Sequence, residues 1–95
     1  NRGMQKFAKK LIKMGGRRIH YNTWVAGNVG YSHTQIYRYE DTTIIFLEST
    51  GAVINGKSAL RLEVVVEGAE QQNLEDICTV IKGSLPNLLN LKDNE

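Results

Sequence analysis

Ninety-five residues, 41% hydrophobic and 23% charged, make one small globular domain with no room for a second core. No apolar run approaches the ~20 residues of a membrane span, and a lone cysteine, Cys78, rules out an internal disulfide and fits a reducing, intracellular compartment. The net charge of +2 is unevenly divided: residues 1–39 carry eight basic side chains and no acid, whereas residues 40–95 carry four basic groups and all ten acids.

Asn1–Gly3 precede the first methionine, as a cloning remnant or the cut end of a longer chain would. The lysines that break the apolar positions of this opening segment do not suit a signal peptide. Met4, Phe7, Ala8, Leu11 and Met14 recur at the spacing of one helix face, with Lys6, Lys9, Lys10 and Lys13 opposite. Gly15-Gly16 should end that helix, because glycine accepts the left-handed conformation of a C-terminal cap.

Arg17–Ala26 alternates as a strand, with Arg18, His20, Asn22 and Trp24 on one side. Gly27–Gly30 supplies a turn, and Tyr31–Glu40 a second strand that places Tyr31, His33, Gln35, Tyr37 and Tyr39 together. Thr42–Ser49 is a third strand. Its Ile44-Ile45-Phe46-Leu47 run is apolar on both faces, which suits the middle of a sheet or the floor under a helix. Asn55-Gly56 between apolar residues predicts a hairpin into a further strand, Ser58–Glu67.

After Gly68 the period changes. Leu74, Ile77, Cys78 and Ile81 mark an amphipathic helix over about residues 70–82, with Gly83 as its terminator. Ser84-Leu85-Pro86 then opens another helical turn whose Leu85, Leu88, Leu89 and Leu91 need a surface to cover, and residues 93–95 fray. The expected fold is α+β: an antiparallel sheet of four to five strands, with an N-terminal and a C-terminal helix packed on one face.

Gly51–Ser58 satisfies G-x-x-x-x-G-K-[ST], the pattern of a phosphate-cradling loop. That chemistry needs a helix to begin at the loop, so that its N-terminal amides face the phosphate. Ala59–Val66 instead alternates with β-branched residues, so a hairpin is the stronger expectation and a nucleotide site the remote one. His20 and His33 lack the clustered cysteines or carboxylates of a metal site. Cys78 lies on an apolar helix stripe, as a small core residue rather than a nucleophile. No acid/base pair stands out, so neither enzymatic activity nor a cofactor is expected.

The basic half also holds most of the aromatic residues, and cations beside flat rings are what nucleic-acid surfaces combine. The leading expectation is a non-enzymatic module for nucleic acid or another polyanion. Lys6, Lys9, Lys10, Lys13, Arg17, Arg18 and Arg38 would meet phosphates, while His20, Trp24, Tyr31, Tyr37 and Tyr39 would stack on bases. It requires those cations to fold into one continuous patch.

The competing expectation is a protein-interaction or self-assembly module. Its basic half would dock an acidic protein or its own acidic half, and the small core would favour a dimer. A cationic amphipathic helix over Met4–Met14 resting on an anionic membrane surface is a third, weaker reading, because the sheet needs the same apolar side.

Overall fold

A computed structural model of the chain describes residues 2–25, 30–54 and 57–86, with the backbone alone over 51–54 and 57–60. Its elements run α1 (Arg2–Lys13), β1 (Arg17–Val25), β2 (Tyr31–Tyr39), β3 (Thr42–Ile54), β4 (Lys57–Glu67) and α2 (Gln71–Ser84). The four strands form one antiparallel sheet in the order β1-β2-β3-β4. Of the four to five strands expected, four are present among the described residues, and the fold is α+β as the periodicities predict.

The core is where α1 and α2 meet one face of the sheet. Met4, Phe7 and Leu11 descend from α1, Ile77, Ile81 and Leu85 from α2 and the residue after it, and Tyr37, Ile44 and Phe46 rise from β2 and β3. The Phe7 ring stands edge-on to Tyr37 and Phe46, with centroids 5.4 and 4.9 Å away. Such edge-to-face pairs contribute about 0.5–1.5 kcal/mol each beyond the burial of the rings. β3 is an inner strand, as its doubly apolar run implies; Ile44 and Phe46 are fully buried.

Both helix ends have identifiable causes. Gly16 N–H donates to Leu11 C=O at 2.9 Å and Gly15 N–H to Ile12 C=O at 3.0 Å, with Gly15 at φ 99°. These are the paired bonds of a Schellman cap. They set Gly16 so close to its neighbours that an added Cβ would lie 2.6 Å from Leu11 Cγ and 3.1 Å from the Arg38 carbonyl oxygen.

The start of α2 is held from another element. Asp41, in the turn between β2 and β3, accepts the backbone N–H groups of Ala69 and Glu70 at 3.0 Å each and the Asn73 side-chain amide at 2.9 Å. The Asn73 bond, followed by those two backbone bonds and the Thr42 hydroxyl, lowers its pKa from 3.8 to about 2.

The observed boundaries depart from the periodicities in three places. α2 runs through Gly83 to Ser84 instead of stopping before it; Leu85 N–H then bonds Ile81 C=O at 2.7 Å, and burial of Leu85 beneath α1 fixes the last turn. β3 extends past Ser49 to Ile54, with a register shift between Thr50 and Val53. β1 bulges between Arg18 and His20. The expected turns at 27–29 and 55–56, the helical turn's Leu88, Leu89 and Leu91, and the fraying end all lie outside the described residues. The strands flanking 55–56 pair at Ile54↔Lys57, and the strand β4, rather than a helix, follows the Gly51–Ser58 pattern.

Candidate functional site

The two helices cover one face of the sheet, and the cross-strand rows assign paired residues to that face or to the uncovered one. Arg18↔Tyr37↔Ile44↔Val66 and Tyr21↔Gln35↔Phe46↔Val64 lie toward the helices. Arg17↔Arg38↔Thr43↔Glu67, His20↔Ile36↔Ile45↔Val65 and Trp24↔Ser32↔Ser49↔Arg61 lie on the open face.

This arrangement divides the residues that the sequence groups together. Lys6, Lys9, Lys10 and Lys13 are exposed on the side of α1 opposite Met4, Phe7 and Leu11, so they form the outer surface of the helix layer. Arg17 and Arg38 lie on the far side of the sheet. Arg18 does not share a face with His20 and Trp24 as simple alternation predicts, because the bulge turns it toward the helices. The cations therefore occupy three surfaces, and the expected continuous patch does not form. The salt bridge seen among the described residues, Arg61–Glu63 at 3.0 Å, involves none of these seven.

The rings divide as well. Tyr37 is a core residue at 2% exposure, so it cannot stack on a base. Tyr39 packs against the core and Tyr31 is half-buried. His20 and Trp24 remain exposed, Trp24 at 63%. Tyr21, which is 53% exposed, carries the Arg18 guanidinium 4.8 Å above its ring.

Two features then stand out. The first is β1 itself. All nine of its residues are exposed, including the large apolar Ile19, Tyr21, Trp24 and Val25, and among the described residues no strand pairs with its outer edge. The 19–25 stretch contains no charge and no proline, the usual guards of a sheet edge. The alternation of the sequence predicts the strand, but gives no sign that all of its residues stay exposed.

The second is a cleft of about 310 Å³ where α1 overhangs β1, β2 and β3. Its polar lining from the sheet is Arg18, Tyr21, His33, Gln35, Tyr37 and Glu48, and α1 adds Gln5. A hydrogen-bonded chain fixes the floor. The Tyr37 hydroxyl donates to Gln35 Oε1, the Gln35 amide donates to His33 Nε2 at 2.9 Å, and His33 Nδ1 bonds Thr23 Oγ1 at 2.8 Å.

Burial raises the Tyr37 pKa, and the nearby Arg18 opposes that rise. Burial also raises the Tyr31 pKa, reinforced by the Glu48 charge and by the bond its hydroxyl makes to Glu48. Glu48 itself is only 7% exposed. Sequence reading passed over Gln35 and Glu48 as sites, although a polar residue on the apolar side of an inner strand was the available signal.

Among the described residues no group of three His, Cys, Asp or Glu side chains is placed to hold a metal, and no helix is long and apolar enough to cross a membrane. Comparison with protein-family models, with curated proteins and with solved structures finds no match to this chain.

Proposed function

We propose that this chain is an interaction module that assembles with a second copy of itself, edge to edge through β1. The observation that carries the reading is the exposure of all nine β1 residues together with an edge that lacks any guarding charge over 19–25. An unguarded edge strand presents a row of backbone donors and acceptors ready to pair.

Charge favours one orientation. Arg17 and Arg18 lie at one end of β1, and Trp24 and Val25 at the other. A two-fold, antiparallel pairing sets each arginine pair against the apolar end of its partner, with the two pairs roughly 23 Å apart. A parallel pairing would bring all four guanidinium groups together.

A second reading has one specific observation in its favour. Arg17 and Arg38 face each other directly across β1 and β2, on the same open face as His20 and Trp24. Like charges opposite one another weaken a sheet unless an anion sits between them. Single-stranded nucleic acid on the open face would supply phosphates for the arginines and a base for the Trp24 ring.

Sedimentation velocity with and without a single-stranded oligonucleotide separates the two. Assembly gives a two-chain particle in buffer alone that persists when oligonucleotide is added. Nucleic-acid binding gives a single chain that shifts with oligonucleotide, with a log–log salt slope of roughly −1.4 if the two open-face arginines each neutralise one phosphate. A single chain at all concentrations overturns the first reading, and a salt slope near zero overturns the second.

A further inference from the structure

We propose that the outer side of α1 is an electrostatic docking surface for an anionic lipid bilayer. Arg2, Lys6, Lys9 and Lys13 follow one another at steps of four and three residues. They therefore form a single stripe about 16 Å long, opposite Met4, Phe7 and Leu11. All four are exposed, and Lys10 lies beside them, exposed as well. No acid stands in the first turn of α1, and among the described residues no carboxylate pairs with any of the five cations. The apolar side of the helix is committed to the core, so a bilayer meets the polar side instead of the face that an embedded amphipathic helix uses.

The stability of the helix does not account for this stripe. Arg2 stands at the positive end of the helix dipole. Arg2 with Lys6, Lys6 with Lys10 and Lys9 with Lys13 are like charges four residues apart, and each such pair is mildly destabilising. A negative surface removes both penalties. The acids of the neighbouring helix do not cancel the stripe. Glu70, Glu75 and Asp76 belong to the beginning of α2, whereas α1 approaches its end. A Cβ added to Gly83 would lie 3.4 Å from Lys10 Nζ, and one added to Gly3 would meet Leu85 and the Ser84 carbonyl oxygen.

Two observations favour a bilayer over nucleic acid. The one aromatic residue of α1, Phe7, is buried, so the stripe has no ring on which a base could stack. Ile12, beside Lys9, and Met14, just past Lys13, are instead 59% and 37% exposed. There apolar side chains enter the headgroup region while the cations meet its charges.

The edge pairing of β1 strengthens the reading, and this part of the inference rests on it. Residues directly opposite in an antiparallel pair share a face, so the two-fold axis of such a pair is normal to the sheet. Both helix layers then lie on the same side of the joined sheet. The two copies turn their stripes toward one flat surface, which is the shape of a bilayer.

The test is co-sedimentation of the full chain with phosphatidylcholine vesicles containing about one-third phosphatidylserine, against vesicles of phosphatidylcholine alone. Binding to the anionic vesicles is expected at about 50 mM salt, with little to the neutral ones, and it should be largely lost at about 0.5 M. Each cation held at such a surface strengthens binding about fivefold, so Lys6→Gln, Lys9→Gln and Lys13→Gln together should weaken it about 100-fold. Arginine at the same three positions should preserve it. All three sites are exposed, so the circular dichroism of both variants should match the wild type.

Sedimentation velocity of the same samples without vesicles separates the two inferences. A single chain that binds the anionic vesicles keeps the stripe as the docking surface and removes the edge pairing; a two-chain particle that ignores them does the reverse. Equal binding to neutral vesicles, binding indifferent to salt, or full binding by the glutamine variant overturns the proposal. So does uptake of a single-stranded oligonucleotide in place of the vesicles with the same dependence on these lysines, which would mark the stripe as a nucleic-acid surface.

Discussion

The two edges of this sheet are built in opposite ways. β4 alternates Leu62, Val64 and Val66 toward the helices with Arg61, Glu63, Val65 and Glu67 toward water, and it carries the Arg61–Glu63 salt bridge. Its outward charges make pairing with another strand costly. β1 presents Ile19, Tyr21, Trp24 and Val25 to solvent, and its two charges are confined to its first two residues. A chain with only nine buried hydrophobic side chains in its described core would keep those groups covered if it could. The difference teaches that one edge is guarded by its own charged side chains, whereas over 19–25 the other is not.

The largest effect should come from the layer that both edges share. Phe7→Ala removes a fully buried ring that touches Tyr37 and Phe46, and should lower stability by about 3–5 kcal/mol in urea unfolding. If β1 is an interface, Ile19→Lys with Val25→Lys should weaken association about 100-fold or more, with the circular dichroism of the fold unchanged, since both sites are half or more exposed. Lysines at Glu63 and Val65 of β4 should leave particle size as it was.

Gly16→Ala should cost about 1–3 kcal/mol, because the new methyl collides with Leu11 and the Arg38 carbonyl at the corner that leads into β1. Trp24→Ala should change the stability of the isolated chain by no more than about 0.5 kcal/mol while reducing association. Equal loss in both measurements would mean that Trp24 belongs to the fold rather than to an interface.

Asp41 gives a pH test of the covered side. Its folded pKa, about 2, lies below the ordinary value of 3.8, so the native state favours the charged carboxylate. The stability it contributes is present in full above pH ~4 and is lost as the pH falls through 2. The stability difference between wild type and Asp41→Ala should therefore shrink over that window in urea titrations. A difference that stays constant from pH 5 to 2 would remove Asp41 from its role as the cap of α2.

Much of the fold was legible because single periodicities decide it. Phe7 and Leu11 declare the face of α1, Gly15 and Gly16 its end, and the Ile44–Leu47 run an inner strand. What escaped was anything set by two elements at once. The bulge after Arg18 leaves no mark in an alternating sequence, yet it sends Arg18 to the opposite face from Trp24. Gly83 reads as a stop, but burial of Leu85 carries the helix past it. The charge asymmetry of the halves is real in sequence, while the sheet distributes those cations over three surfaces.

Asp41 looked like any exposed acid, because its partners lie more than 27 residues further along the chain. The aromatic residues of β1 and β2 were legible as a group, but Tyr37 turned inward because Phe7 and Phe46 close over it.

Backbone amide hydrogen exchange, followed residue by residue as protein concentration rises, tests the unequal edges most directly. The account predicts that outward-facing amides of 19–25 become progressively protected while those of β4 keep their rates. Rates at β1 that do not respond to concentration, or protection arising at β4 instead, would contradict it.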